Sequence, residues 1–273
     1  MDETIKLFDS HCHLNMEEFR DDLDEVLRRA NEAGVRRVLL AACDAQSSEE
    51  VARMASRHNA RGVRMWASAG VHPHEAAGVA GGLPEELVAL TSAKEVVAIG
   101  EIGLDYYYDN SPRGTQRDVF ERQLDLAVRV KKPIITHLRN AKERRDGDAY
   151  GEAISIIGNF PDLAGGVIHC FSGDREDARE ALDMGFYVSF AGPLTFPKAE
   201  SLRDAAMYSP SDRILCETDS PYLAPQRKRG RRNEPALVRD VYEKMAEVKK
   251  MTLAELARIV WDNGERLFVP NLG

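Results

Sequence analysis

Apolar positions along this chain follow two alternating rhythms: short continuous runs, and longer stretches with apolar residues every three or four positions. From Ile5 an apolar run passes through Leu7 and Phe8 and gives way to Asn15, Glu17 and Glu18, which predicts a short buried strand ending in a loop. Leu23, Val26, Leu27, Ala30 and Ala33 then fall at helical spacing from about Asp21, and Gly34 stands where a helix stops. The two rhythms keep alternating. Strands are predicted at Val35 to Ala42, Val63 to Val71, Val96 to Ile99 and Pro133 to Thr136, with helices at Ser47 to His58, near Pro84 to Leu90 and from about Thr115 to Val130. Helices near Ala149 to Ile157, Arg175 to Met184 and Ala199 to Ala206 precede strands at Val167 to Cys170, Tyr187 to Phe190 and Ile214 to Asp219. Pro235 to Val248 predicts the helix after the last strand, and Leu253 to Trp261 a further helix packed outside as a terminal cap.

Continuous apolar strands separated by amphipathic helices imply a parallel sheet buried on both faces. Eight such units in 273 residues point to a closed (β/α)8 TIM barrel with an extra C-terminal helix, one domain spanning residues 1–273. No linker, low-complexity tract or repeat beyond the unit itself interrupts it. Arg139 to Gly147, with four basic residues, predicts an enlarged loop after the fifth strand.

Composition narrows the function classes. Hydrophobic residues make up 43% and charged residues 30%, ordinary for a globular chain with a sizeable core. The apolar runs are strand-length and the chain starts Met1-Asp2-Glu3, so the expectation is a cytoplasmic protein with no signal peptide and no membrane contact. Four scattered cysteines without a C-x-x-C pair argue against a disulfide framework or a zinc ribbon. The formal charge of −8 disfavours an extended coat of nucleic-acid contacts, so any such contact must be local. Arg227-Lys228-Arg229-Gly230-Arg231-Arg232 is a local candidate.

The first predicted strand carries His11-Cys12-His13 at its end. Side chains on a strand alternate, so the two imidazoles project to one side and Cys12 to the other, a plausible half of a metal site. On this motif alone, two inert hydrogen-bonded histidines would be an equally good reading. The rest of the chain tips the balance. Of seven histidines, His11, His13, His72, His74, His137 and His169 fall at or just past predicted strand ends, and only His58 does not. In a (β/α)8 barrel those ends form the face where active sites are built. Glu101, between Gly100 and Gly103, and Asp219 also fall at strand ends; an inward carboxylate in such apolar company needs a charged partner, and a metal supplies one. Asp105 and Glu217 read as loop or supporting residues.

With these positions marked, a resemblance emerges. Phe8-Asp9-Ser10-His11-Cys12-His13-Leu14, Gly70-Val71-His72-Pro73-His74, Gly100-Glu101-Ile102-Gly103-Leu104-Asp105-Tyr106, His169-Cys170-Phe171-Ser172-Gly173, Glu217-Thr218-Asp219-Ser220-Pro221-Tyr222-Leu223-Ala224-Pro225 and Arg229-Gly230-Arg231-Arg232-Asn233-Glu234-Pro235 together resemble the TatD family of metal-dependent deoxyribonucleases. The motifs stand in family order from residue 8 to 235. Two departures occur, Leu138 where the family usually has Ser or Thr, and a longer loop up to Gly147. The resemblance implies a barrel of the amidohydrolase type and two divalent ions (Mg, Mn or Zn) held by residues matching His11, His13, Glu101, His137, His169 and Asp219. Glu101 would bridge them, His11 and His13 hold one, and His137 and His169 the other. Such a pair of cations, roughly 3.5–4 Å apart, activates water and stabilises charge on a phosphoryl oxygen. Asp219 would ligate the first ion and accept the proton from the attacking water.

Expected beside the metals are substrate contacts from His72, Arg139, Arg229 and Arg232, with His74 supporting. The substrate expected is DNA, taken at single-stranded ends by an exonuclease, with no obligate protein partner. Two readings compete. One is a small-molecule metallo-hydrolase acting on an amide, lactone or phosphate ester at the same site. The other is a barrel whose metals are structural and which binds a partner without chemistry, disfavoured because structural zinc sites are usually closed Cys/His tetrahedra. Tyr106-Tyr107-Tyr108 would serve equally as a base-stacking surface or as a packed loop anchor.

Overall fold

A computed structural model describes residues 5–57 and 62–269; His58 lies outside the described residues. Eight strands form one parallel sheet in sequence order. They are β1 (Leu7–Cys12), β2 (Val35–Leu40), β3 (Arg64–Ala69), β4 (Val96–Asp105), β5 (Ile134–Arg139), β6 (Gly166–Ile168), β7 (Tyr187–Phe190) and β8 (Ile214–Cys216). The helices between them are α1 (Leu23–Glu32), α2 (Ala45–Arg57), α3 (Glu85–Leu90), α4 (Arg113–Val130), α5 (Ala149–Ile157), α6 (Arg175–Asp183) and α7 (Glu200–Tyr208), followed by α8 (Val238–Lys249) and α9 (Leu253–Phe268). The apolar rhythm thus predicts every unit, and the fold is the (β/α)8 barrel.

The sheet closes between β1 and the segment after β8. Cys12 bridges to Ser220 in parallel, the Asp219 amide donates to the His11 carbonyl at 2.9 Å, and the His13 amide to the Ser220 carbonyl at 2.7 Å. Side chains finish the seam: the buried Asp9 carboxylate accepts from the Thr218 amide at 2.8 Å and from its hydroxyl at 2.6 Å. Burial pushes the Asp9 carboxyl up to about 8. Because this seam ties Asp219 directly to His11, closing the barrel also places two site residues together.

Local sequence sets the element ends. Buried Val26, Leu27 and Ala30 face α1 inward, and Gly34 takes φ +96°, the left-handed turn after a helix that glycine adopts without strain. Capping boxes start α6 (Asp174 with Asp177) and α9 (Thr252 with Glu255). α9 runs seven residues beyond the expected Trp261. It lies on β1: a Cβ at Gly264 would sit 2.5 Å from the Phe8 ring, and Arg37 is sandwiched between Trp66 and Trp261, 4.0 Å from each ring centre. All four cysteines are unpaired with one another, as expected of reduced thiols. Among the described residues no helix is long and apolar enough to cross a membrane.

Several strand ends differ from expectation, three of them at site residues. β4 continues six residues past Ile99, so Glu101 lies inside it. The register explains why: Ile99 pairs with Ile134 and Ile102 with Thr136, leaving Gly100 and Glu101 opposite Ile135 alone. That extra residue is a β-bulge, which re-aims a side chain. Likewise His137 lies within β5, whereas Asp219 stands three residues beyond the end of β8.

Candidate metal centre

Glu101 is the centre of the site, only 3% exposed. Its Oε1 lies 2.6 Å from His169 Nε2, 3.0 Å from His137 Nδ1 and 3.4 Å from His72 Nε2. Its Oε2 lies 3.4 Å from His11 Nε2 and 3.8 Å from His13 Nε2. Asp219 Oδ1 completes the second group, 3.8 Å from His11 Nε2 and 3.4 Å from His13 Nε2. One carboxylate therefore faces two sets of imidazoles, one per oxygen. As the strand alternation predicts, His11 and His13 converge, with Nε2 atoms 3.2 Å apart, while the Cys12 thiol points away to the Leu39 carbonyl.

A layer behind these residues fixes which ring nitrogen faces inward. His137 Nε2 lies 3.0 Å from Asp105 Oδ2 and His13 Nδ1 3.9 Å from Cys43 Sγ, while His169 Nδ1 lies 3.4 Å from Glu217 Oε1 without making a hydrogen bond. A neutral imidazole that donates to such a partner presents its other nitrogen as a lone pair. The inward nitrogens of His137, His169 and His13 face carboxylate oxygens, which calls for positive charge there, either a ring proton or a cation between. His72 differs. Its Nδ1 accepts the His74 amide at 3.1 Å, so its Nε2 carries the proton and is a donor toward the cleft.

The titration of the cluster reports the same demand for positive charge. Burial alone would push His169 down, yet the Glu101 carboxylate beside it holds it well above the usual imidazole value. His13 is raised in the same way, against its burial, by Cys43 and Asp219. Burial resists ionisation of Glu101, but the imidazoles of His169 and His72 keep its carboxyl well below the normal range. Burial and the neighbouring His169 push His11 down. The donor set, four imidazoles and two carboxylates in two groups sharing Glu101, fits divalent ions.

Asp105 and Glu217, read from sequence only as loop or supporting residues, are both fully buried. Asp105 joins His74 (2.9 Å) to His137, and Glu217 is held by the Ser189 hydroxyl at 2.5 Å. Only their burial distinguishes them from solvated loop acids, and burial is not visible in the local sequence.

The cluster floors a cavity of about 870 Å³, with Arg139, Lys198, Tyr108 and Tyr222 in its walls. The expected substrate contacts divide here. His72 and Arg139 line the cavity; Arg229 and Arg232 do not. Arg232 is committed to Asp22, at 2.7 and 2.8 Å, and lies over the Phe19 ring, while Arg229 covers Phe196. The end of that motif is an anchor: buried Asn233 donates to the carbonyls of Thr218 (2.9 Å) and Tyr222 (2.7 Å), and Glu234 pairs with Arg29 at 2.7 Å. In the enlarged loop, Arg144 is likewise engaged, with Asp177 at 2.7 Å and Asp148 at 3.1 Å.

A parallel eight-stranded barrel that gathers imidazoles around one buried carboxylate at its C-terminal mouth defines a class, the metal-dependent barrel hydrolases. Within that class the chain belongs to the TatD related DNase family, whose model matches residues 8–269. A Bacillus subtilis protein described as an uncharacterized metal-dependent hydrolase is 40% identical over 267 residues, covering 96% of this chain and 98% of that protein. A Pantoea ananatis protein named as the 3'-5' ssDNA/RNA exonuclease TatD is 35% identical over 267 residues, covering 96% and 99%. The crystal structure of a TatD homologue from Escherichia coli superposes with a TM-score of 0.84 at 26% identity, covering 97% of this chain and 99% of that one.

Proposed function

We propose that this protein hydrolyses phosphodiester bonds in DNA, removing nucleotides from single-stranded ends, with two divalent ions held by His11, His13 and Asp219 on one side of Glu101 and by His137 and His169 on the other. The observation that carries this reading is the division of the imidazoles between the two oxygens of Glu101. A relative named as a single-strand exonuclease at 35% identity supports the choice of substrate. Divalent ions held by these residues would supply water activation and counter-charge for a phosphoryl group.

The chain's own groups supply the rest. Asp219 is held ionised: burial opposes it, but the hydrogen bond from His13 and the neighbouring imidazoles keep its carboxyl low, so it is available as proton acceptor. His72 presents Nε2–H to a substrate oxygen, and its ring is kept neutral because burial pushes it down to about 4. Arg139 lies over Tyr107 and Tyr108, 4.4 and 4.8 Å from their ring centres, and presents its guanidinium in the cavity wall, where a phosphate can take it.

The cavity volume also suits a small ester or lactone, which keeps a small-molecule hydrolase as the second reading. One experiment separates them. Chelated protein is reloaded with Mg, Mn or Zn and given an end-labelled single-stranded oligonucleotide, methyl p-nitrophenyl phosphate and a simple lactone. Metal-restored shortening of the oligonucleotide from one end is the expected result. Metal-restored turnover of the small substrates with the oligonucleotide intact would replace the nuclease reading by the second one.

A further inference from the structure

Six large apolar side chains are exposed among the described residues, and three of them, Tyr108, Tyr222 and Leu223, line this one cleft. Tyr108 and Tyr222 line it directly and are about half exposed, at 54% and 49%. They follow β4 and β8, strands diametrically opposite in an eight-stranded barrel. Exposed loops are usually free to move; the backbone carrying these rings is pinned. The amides of Tyr107 and Tyr108 both donate to Asp105 Oδ1 at 2.9 Å, the carboxylate whose other oxygen holds His74 and His137. The Tyr222 amide donates to the Asp219 carbonyl at 2.9 Å and its own carbonyl accepts from Asn233 at 2.7 Å. The next residue is pressed against Gly192, where a Cβ would meet the Leu223 carbonyl at 1.9 Å. Two half-exposed tyrosines are thus held by their backbones on opposite sides of the histidine–carboxylate cluster, each tied to a residue of the cluster or its supporting layer.

On the proposed function, which this inference presupposes, we infer that Tyr108 and Tyr222 are base shelves flanking the scissile phosphate, one receiving the nucleobase on its leaving side and the other the next base along the strand. Every base has a π-face, so aromatic shelves bind without sequence preference. Arg139, whose guanidinium lies over the Tyr108 ring at 4.8 Å, takes one side of that ring and meets the phosphate of the base received on the other. Shelves on opposite walls require the two bases to part from each other. A strand whose bases remain stacked in a duplex cannot satisfy both, so the geometry selects an unpaired end.

The test uses Tyr108→Leu and Tyr222→Leu, with Tyr→Phe at each position as the conservative control. Substrates are a single-stranded oligonucleotide, the same strand lacking its terminal or penultimate base, and methyl p-nitrophenyl phosphate. Each Leu variant should raise the oligonucleotide KM by roughly 5- to 150-fold relative to any change on the small diester, the range expected for loss of one stacked base. The Phe variants should retain wild-type KM, and each Leu variant should show no further loss on the strand lacking the base its shelf receives. Wild-type KM in both Leu variants on a strand the protein does cleave would overturn the shelves and leave the nuclease reading standing. Failure of the wild-type protein on every oligonucleotide would overturn both.

Discussion

Glu101 has five imidazole neighbours, and no single substitution would disturb more of the site. A cleaner probe of chemistry is Asp219, because among the described residues its carboxylate pairs with His11 and His13 and its backbone makes bonds that an amide would keep. Asp219→Asn preserves volume and removes charge and basicity. Turnover on the oligonucleotide should fall by about 10²–10⁴-fold with an unchanged circular dichroism spectrum; near-wild-type turnover in the metal-loaded variant would place the proton acceptor elsewhere. Glu217 tests the supporting layer instead. Its Oε1 lies beside His169 Nδ1 and its Oε2 accepts from Ser189, while the stacked ring of His11 lies 3.9 Å from that of His169. Glu217→Gln should weaken metal binding, read by calorimetric titration of the metal-free protein, by about 10- to 100-fold. Unaltered affinity would reduce Glu217 to an anchor for the Cys170 amide.

At the scale of elements, the bulge in β4 aims Glu101 inward, and the glycine after it permits the strand to continue. Gly103 takes φ +137°, and a Cβ there would sit 2.1 Å from the His137 carbonyl. Gly103→Ala forces β4 and β5 apart at the position that holds two proposed ligands. Stability measured by urea unfolding should drop by roughly 2 kcal/mol or more, and the metal content of the folded fraction should fall with it; a variant with wild-type midpoint and metal content would show that the contact relaxes freely. The bulge also marks where sequence stops being legible. Parallel strands buried on both faces leave long apolar runs, so all eight could be read, and the histidines stood out because they break those runs near their ends. Gly100-Glu101 breaks the run at Ile99 in the same way, yet backbone pairing resumes at Ile102 with Thr136, and nothing local announces a resumed ladder. The roles of Asp105 and Glu217 were hidden because burial comes from segments far along the chain. Arg232 shows the same limit: adjacency to strand eight suggested a phosphate contact, while the partner it has in the structure, Asp22, lies 210 residues away and is invisible locally.

On the proposed function the molecule has to attract a polyanion while carrying a formal charge of −8. Long-range steering is therefore weak, and affinity has to come from cations at the cleft itself. Arg139 and Lys198 line it, whereas Arg144 and Arg232 have their charge met by Asp177 and Asp22. Few phosphates can then be neutralised at once. Each contact to a single strand contributes about −0.7 to the slope of log K against log salt, so two cleft cations predict a slope near −1.4, far shallower than for a protein tracking along a duplex. Arg139→Ala should reduce the magnitude of that slope by about 0.7 in fluorescence anisotropy titrations of a short labelled oligonucleotide. Arg232→Ala breaks an ion pair that braces α1 to the loop after β8, so its effect should fall on thermal stability and leave the slope as it was. If the Arg232 variant instead flattens the slope while Arg139→Ala does not, the strand crosses the barrel mouth over the β8 rim, and the wall built on β5 is the bystander.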